Sequence, residues 1–163
     1  MTAGFTRPIQ LPAGKGITGF RCGVEIVDAW AARHSATSRN RGTAVVYASY
    51  CGDRVAGFYT LCAHSITRSE VCAGWFSRNA PSQVPAVLLG MLGVDEDFKG
   101  MGLGAALLRD AVLNASKVAA IAGARALVVD PVDEAAATFY GHFGFRRICD
   151  SGRMAIKLQR DAA

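Results

Sequence analysis

Apolar and polar positions along the first half of the chain change their period, which predicts a helix followed by strands. Over residues 24–38 the apolar positions recur at helical spacing and form one side of a helix. Residues 43–51 and 54–62 are rich in Val, Tyr, Phe and Thr and are separated by a short glycine-containing turn, which predicts an antiparallel hairpin. The nearly continuous apolar run over residues 84–95 is typical of a strand buried on both faces. A short edge strand is expected over residues 7–11.

The second half of the chain continues with helices and short strands. Helical periodicity returns over residues 102–122, and residues 126–129 form a short apolar run that predicts a buried strand. A further helix is expected over residues 134–143, capped by Asp133 at its start. Two closing strands are expected over residues 145–149 and 154–158. This order predicts a single α/β domain over residues 1–163, with a mixed, mostly antiparallel sheet flanked by helices.

Composition excludes several protein classes. The chain has 163 residues and is 51% hydrophobic, which excludes disorder, and its apolar runs are shorter than the ~20 residues of a membrane span. No signal peptide is apparent, so a cytoplasmic protein is expected. The five cysteines form no CxxC pair and have no histidine at metal-ligand spacing, so we expect reduced thiols and no metal site.

The charge balance indicates an anionic partner. The net charge is +5, and most of the 18 basic residues are arginines, whose planar donors suit phosphate groups. A nucleotide cofactor and RNA are both consistent with this charge. An arginine-rich composition without functional meaning is an equally good explanation at this stage.

A glycine-rich segment after the buried strand is the most informative feature of the chain. Gly100, Gly102 and Gly104 follow Lys99 and lead into the predicted helix. Alternating glycines let the backbone approach a ligand, and the N–H groups at a helix start favour a phosphate. The segment is not a P-loop, because it lacks the Gly-Lys-Ser/Thr sequence of that motif. It is not a dinucleotide-binding fingerprint either, because no acidic residue that could bind a ribose follows at the required spacing. The alternative is that the glycines only cap the helix.

Two motifs resemble those of the GNAT N-acetyltransferase superfamily. Lys99-Gly-Met-Gly-Leu-Gly104 resembles its pyrophosphate loop, and residues 133–145 resemble its helix that ends in Phe-Tyr-x-x-Phe-Gly-Phe. The resemblance implies the GNAT fold and acetyl-CoA as the acetyl donor. It also implies that the backbone of Leu92 and Val94 pairs with the pantetheine arm and that Asp133 lines the cofactor cleft. The loop that would hold the pyrophosphate comprises Lys99, Gly100, Met101, Gly102, Leu103 and Gly104.

A narrower resemblance covers most of the chain. Phe20-Arg-Cys-Gly23, Arg54-Val-Ala-Gly-Phe-Tyr-Thr-Leu61 and Arg78-Asn-Ala-Pro81 are similar to segments of the GNAT toxins of type II toxin–antitoxin systems. The resemblance implies acetylation of the amino acid on charged tRNA and neutralisation by a ribbon-helix-helix antitoxin, and it leaves a homodimer open. Lys99 replaces the usual Arg or Gln of the loop, and Met91 stands where those toxins usually have Arg.

Tyr140 is the candidate catalytic residue, because a phenol with a pKa near ~10 is protonated at neutral pH and can donate to a departing thiolate. A packed tyrosine with a structural role is the alternative. No general base stands out. Glu70 is the sole glutamate between the predicted hairpin and the buried strand over residues 84–95, and His34 and His64 look isolated from other candidate catalytic residues. An α-amino group has a pKa of only ~7.7–8.0, so an aminoacyl ester needs less help from a base than a lysine side chain does.

The candidate acceptor surface is basic. Arg33, Arg39 and Arg41 belong to an N-terminal segment with an excess of positive charge, and Arg78 extends the set. Such residues bind RNA phosphates without reading sequence, although a solvated basic surface would look the same. Two other functions stay open: a small-molecule or protein N-terminal acetyltransferase without an antitoxin, and a CoA-binding module that has lost catalysis.

Overall fold

The computed structural model describes residues 4–71, 74–149 and 151–158, and apart from one additional short helix its elements follow the predicted order. The elements are β1 (Ile9–Gln10), α1 (Glu25–His34), β2 (Val45–Cys51), β3 (Arg54–Thr67), α2 (Gly74–Ser77), β4 (Gln83–Val94), α3 (Leu103–Ala122), β5 (Ala126–Val129), α4 (Glu134–His142), β6 (Arg146–Arg147) and β7 (Met154–Lys157). Short 3₁₀ turns occupy Arg68–Glu70 and Glu96–Phe98.

The strands form a mixed and mostly antiparallel sheet in the order β1-β2-β3-β4-β5-β7-β6. The pairs β1–β2, β2–β3, β5–β7 and β6–β7 are antiparallel, whereas β4 and β5 are parallel over Val87–Leu89 and Leu127–Val129. The expected α/β class and the antiparallel hairpin are therefore confirmed. The chain divides into two compact units: the first contains the residues up to Cys62 and Gly90–Ala111, and the second contains Ala63–Leu89 and the residues from Val112 onward.

The first unit is built around the β2–β3 hairpin and α1. Cys51 pairs with Arg54 at the turn and Val45 pairs with Leu61 at the far end. Val27 and Ala31 of α1 are buried with Phe58 in one apolar cluster. The sequence pattern places Ile26 on the apolar side of this helix together with Val27 and Ala31, and this is wrong, because Ile26 is 61% exposed.

The second unit centres on β5, whose four residues are all buried. Its apolar cluster includes Phe76, Val84, Val128 and Ile148. The Asp133 side chain accepts a hydrogen bond from the Ala136 backbone N–H at 2.8 Å, which confirms the expected N-terminal cap of α4. Gly144, with a φ of +97°, follows the helix end as expected.

Several local expectations differ from the structure. Strand β3 runs to Thr67 rather than to residue 62, and the four-residue helix α2 had no sequence signal. Cys149 is disulfide-bonded, which corrects the expectation that the cysteines are reduced, whereas Cys22, Cys51 and Cys62 are free. Among the described residues, no helix is long and apolar enough to cross a membrane, and no group of three potential metal ligands occurs.

Candidate active site

The glycine loop has a backbone conformation that depends on glycine. Gly100 and Gly102 have φ values of +79° and +80°, in the left-handed region that other residues rarely adopt. A Cβ atom built at either position would have no atom of the other described residues within 4 Å, apart from its chain neighbours, so the loop borders open space. Helix α3 begins immediately afterwards at Leu103, and Gly104 lies in its first turn.

The start of α3 is fixed against β3 by close packing. A Cβ at Gly57 would lie 2.8 Å from Leu107 Cδ1 and 3.1 Å from Leu103 Cδ2, so only glycine lets the helix approach this closely. Leu103 and Leu107 are buried, and the first turn contains no acidic residue. The first N–H groups of a helix have no intrahelical partners and lie at the positive end of its dipole. The loop and this helix start together can therefore hold a phosphate group.

The ammonium group of Lys99 is hydrogen-bonded to the backbone before α1 and is not free to turn toward the loop. Its Nζ donates a hydrogen bond to the Cys22 carbonyl oxygen at 2.6 Å. The Asp28 carboxylate accepts the N–H groups of Cys22 and Gly23 at 2.8 and 3.3 Å. Burial opposes the ionisation of Asp28, but these hydrogen bonds and the Lys99 charge outweigh it and lower its pKa. Lys99 thus connects the glycine loop to the start of α1.

Asp95 organises the end of β4, a role that the sequence did not reveal. It is 4% exposed and accepts the backbone N–H groups of Arg21 at 3.1 Å and Asp97 at 3.0 Å. The Arg54 guanidinium lies 3.3 Å from its carboxylate. Leu92 and Val94, half-buried on β4, precede this anchor and follow the residues that pair with β5.

Tyr140 lies on α4 in the second unit and is 7% exposed. Its ring packs against Phe139 and Phe145, with centroid separations of 5.4 and 5.5 Å. Burial raises the pKa of its hydroxyl to about 12. The phenol is therefore fully protonated at neutral pH and available as a hydrogen-bond donor.

His64 is not isolated, which corrects the sequence expectation. Its Nε2 lies 3.2 Å from Arg153 NH1, and Arg153 also forms a two-pronged ion pair with Asp130 at 2.7 and 2.9 Å. Burial is the main cause that lowers the pKa of His64, and the Arg153 charge adds to it, against the opposing charges of Asp130 and Glu70. An arginine N–H can only donate, so Nε2 is the acceptor in this contact. The sequence offers no signal for this cluster, because its members are distant in the chain.

The arginines proposed for the acceptor fall in both units. Arg33 lies in the last turn of α1, and Arg39 and Arg41 lie in the turns that follow it; all three are exposed. Arg78, also exposed, ends the α2 turn in the second unit. In the described part of the chain, none of these four side chains forms an ion pair.

Comparisons with known proteins agree with this geometry. A family model described as "Acetyltransferase (GNAT) domain" matches residues 39–147. The chain is 32% identical over 160 residues to the "tRNA-acetylating toxin" of Mycobacterium tuberculosis (strain ATCC 25618 / H37Rv), covering 98% of this chain and 96% of that protein.

Solved structures show the same fold. The structure of AtaTR bound with AcCoA is 25% identical, with a TM-score of 0.78 over 94% of this chain and 93% of that chain. AtaT complexed with acetyl-methionyl-tRNAfMet has a TM-score of 0.82 at 24% identity, over 94% of this chain and 95% of that chain.

Proposed function

This chain belongs to the GNAT acetyltransferases, and on that premise we propose that it transfers the acetyl group of acetyl-CoA to the α-amino group of an aminoacyl-tRNA. Such a modification blocks translation, so the protein acts as a toxin. The observation that carries this proposal is the likeness over 98% of the chain to a protein named a tRNA-acetylating toxin. The guanidinium groups of Arg33, Arg39 and Arg41 are exposed and form no ion pair with any residue that the structure describes, which supports an acceptor that carries phosphates.

The glycine loop fits the pyrophosphate of acetyl-CoA. Open space adjoins Gly100 and Gly102, and the helix start behind them has N–H groups without intrahelical partners. The main chain from Lys99 to Gly104, including Met101 and Leu103, would hold the pyrophosphate, and the backbone of Leu92 and Val94 would bind the pantetheine arm as an added strand does. Asp133 lines the cofactor cleft in this proposal, while its carboxylate caps α4.

Acetyl-CoA supplies a thioester, whose acyl carbon the neutral amine attacks. In the exchange the amine nitrogen loses one proton and the departing sulfur gains one. Tyr140 is the residue that donates to that sulfur. Complete transfer from a phenol with a pKa of about 12 to a thiolate whose acid has a pKa of ~8.5 is uphill. The hydroxyl therefore hydrogen-bonds to the developing thiolate and gives up its proton only as the proton of the amine replaces it.

No side chain needs to act as a strong base on this acceptor. An α-amino group has a pKa of ~7.7–8.0, so a useful fraction is neutral near pH 7. The pKa of His64 is lowered, which weakens it as a base, and its Nε2 already accepts a hydrogen bond from Arg153. We therefore assign the first deprotonation to water.

The partners follow from the same family. AtaT is described as forming a complex with the C-terminus of an antitoxin, AtaR. For this chain we propose an antitoxin of the ribbon-helix-helix class, a cytoplasmic location and a single catalytic domain. A homodimer is consistent with this proposal.

The direct test is acetyl transfer from labelled acetyl-CoA to total charged tRNA, followed by identification of the labelled amino acid. The proposal expects label on an aminoacyl ester and none on deacylated tRNA. Acetylation of a free polyamine or a peptide N-terminus in its place, at rates independent of salt, would assign the protein to the small-molecule or N-terminal acetyltransferases.

A further inference from the structure

A basic cavity lies in the second unit, at the end of β5 opposite to the β5–α4 connection that carries Asp133. It has a volume of about 360 Å³ and is lined by Trp75, Arg78, Asn79, Arg125 and Lys157. Three of these five residues are cations and none is acidic. A cavity of this size lies within the usual range for small ligands. Its charge selects for an anion.

The cavity is held in shape by Arg125. Its guanidinium donates to the carbonyl oxygens of Phe76 at 3.3 Å, Arg78 at 2.5 Å and Asn79 at 3.3 Å. Its own backbone N–H donates to Pro85 at 2.9 Å, and its carbonyl accepts from Leu158 at 3.0 Å. Arg125 therefore braces the turn after α2, in which Asn79 has the left-handed φ of +53°.

The other two cations are free to bind a ligand. Arg78 and Lys157 are exposed, and within the described residues neither forms an ion pair. Arg78 lines the cavity from the turn after α2, and Lys157 lines it from the end of β7. Like charges brought together without a carboxylate repel each other, so an anion bound between them relieves the repulsion.

Trp75 adds an aromatic surface to this charge. Its ring stacks on Phe76 with a centroid separation of 5.1 Å and an interplanar angle of 27°, which fixes its orientation. It is half-buried against the apolar cluster of the second unit and contributes its remaining surface to the cavity. An acidic peptide needs the cations but not the indole, whereas a nucleotide uses both, because bases stack on aromatic side chains and phosphates bind Arg and Lys.

We propose that this cavity binds one unstacked nucleotide of RNA, with the base on Trp75 and the phosphate between Arg78 and Lys157. Bases of single-stranded loops and ends are free to stack in this way, unlike those inside an RNA duplex. The inference rests on the proposed function, which makes RNA the carrier of the acceptor, and adds a second contact site for that RNA.

The test is binding of a fluorescein-labelled, single-stranded oligouridylate to the full-length protein, measured by anisotropy over a range of salt concentrations. Arg78→Ala/Lys157→Ala should make the negative slope of log affinity against log salt shallower by roughly 1.4, the sum for two single-strand phosphate contacts. Trp75→Leu should weaken binding roughly 5- to 150-fold with the slope nearly unchanged, and Trp75→Phe should retain most of the affinity. Lys117→Ala/Arg146→Ala removes two exposed charges from the same unit and is the matched control.

Two results of the binding experiment would overturn the inference. One is a control variant that loses as much affinity as Arg78→Ala/Lys157→Ala. The other is a Trp75→Leu protein that melts like wild type and binds the oligonucleotide as wild type does, with polyglutamate competing for the cavity; the cavity would then bind an acidic protein segment.

Because anisotropy needs no acetyl transfer, the two proposals fail separately. Oligonucleotide binding that depends on the cavity, without acetylation of charged tRNA, refutes only the proposed function. Acetylation of charged tRNA with a wild-type KM in both cavity variants refutes only this inference.

Discussion

The glycine loop and the environment of Tyr140 are built in opposite ways. The loop borders open space, and its proposed function resides in main-chain N–H groups that left-handed glycines present. Tyr140 is nearly buried between Phe139 and Phe145, and its proposed function resides in one hydroxyl group. The loop is therefore sensitive to any added side chain, whereas the Tyr140 position is sensitive to the loss of a single oxygen atom.

The largest effect is expected from Gly102→Val. A β-branched residue at a φ of +80° is strained, and its side chain would occupy the open space beside the loop. Acetyl-CoA binding should be abolished while the far-ultraviolet circular dichroism spectrum stays that of the wild type. Calorimetric titration with acetyl-CoA measures the binding.

The matched control is Gly52→Val in the β2–β3 turn. Gly52 has a φ of +61° and is also bordered by open space, so the backbone strain is comparable. It should reduce stability without affecting acetyl-CoA affinity. Equal loss of affinity in both variants would show that strain, rather than position in a cofactor site, explains the effect.

Tyr140→Phe should act on turnover alone. The ring keeps its contacts with Phe139 and Phe145, so stability and acetyl-CoA affinity should change little. Turnover should fall by ~10²–10⁴, the usual contribution of a positioned acid. Steady-state kinetics with charged tRNA, with kcat and KM determined separately, checks this.

Tyr50→Phe is the control for loss of a tyrosine hydroxyl. The pKa of Tyr50 is also raised by burial, but the residue lies on β2 in the first unit. Its turnover should be that of the wild type. A wild-type kcat in Tyr140→Phe would restrict Tyr140 to a packing role.

This contrast explains which parts of the molecule could be read from the sequence. The glycine loop and the Asp133 cap are local, since neighbouring residues define them, and hydrophobic periodicity located α3 and β5 closely. The position of Tyr140 came from a family motif. Its burial and its raised pKa depend on tertiary packing, which no local pattern reports.

No sequence pattern predicted the features that are formed by residues far apart in the chain. His64, Asp130 and Arg153 belong to three separate strands or strand ends, and only folding brings them together. The bracing of the α2 turn by Arg125 is similar, because 46 or more positions separate the guanidinium from the carbonyl groups it binds. Helix α2 itself has only four residues and is too short to produce a periodic signal.

Replacing Arg33, Arg39 and Arg41 by Ala should weaken the binding of tRNA without changing the binding of the cofactor at the glycine loop. Each phosphate contact with duplex RNA contributes roughly one unit to the salt slope, so the triple variant should flatten it by up to about 3 units. Acetyl-CoA affinity should be unchanged. Filter binding of charged tRNA at several salt concentrations measures the slope, and an unchanged slope would remove these residues from the acceptor surface.

The smallest effect is expected from Asp130→Asn, which tests the cluster of His64, Asp130 and Arg153 that no sequence pattern predicted. The hydrogen bonds from Arg153 lower the pKa of Asp130 below its usual 3.8, against the effect of burial. A lowered pKa means that the ion pair stabilises the fold above the unfolded pKa and loses this contribution as the pH falls through the folded one. Because the Asp130 side chain is 57% exposed, the free energy of unfolding at pH 7 should fall by less than about 1 kcal/mol.

The substitution should also act on His64. Asp130 is one of the charges that raise the pKa of His64, so its removal should lower that pKa further, which a proton NMR titration of the imidazole detects. Glu134→Gln, which breaks the exposed pair with Arg147, is the control and should leave both the pKa of His64 and the stability nearly unchanged.

Urea unfolding from pH 7 to pH 3 should show the stability of Asp130→Asn converging with that of the wild type as Asp130 becomes protonated. A constant difference across that range would mean that the ion pair does not contribute and that the amide disturbs packing instead.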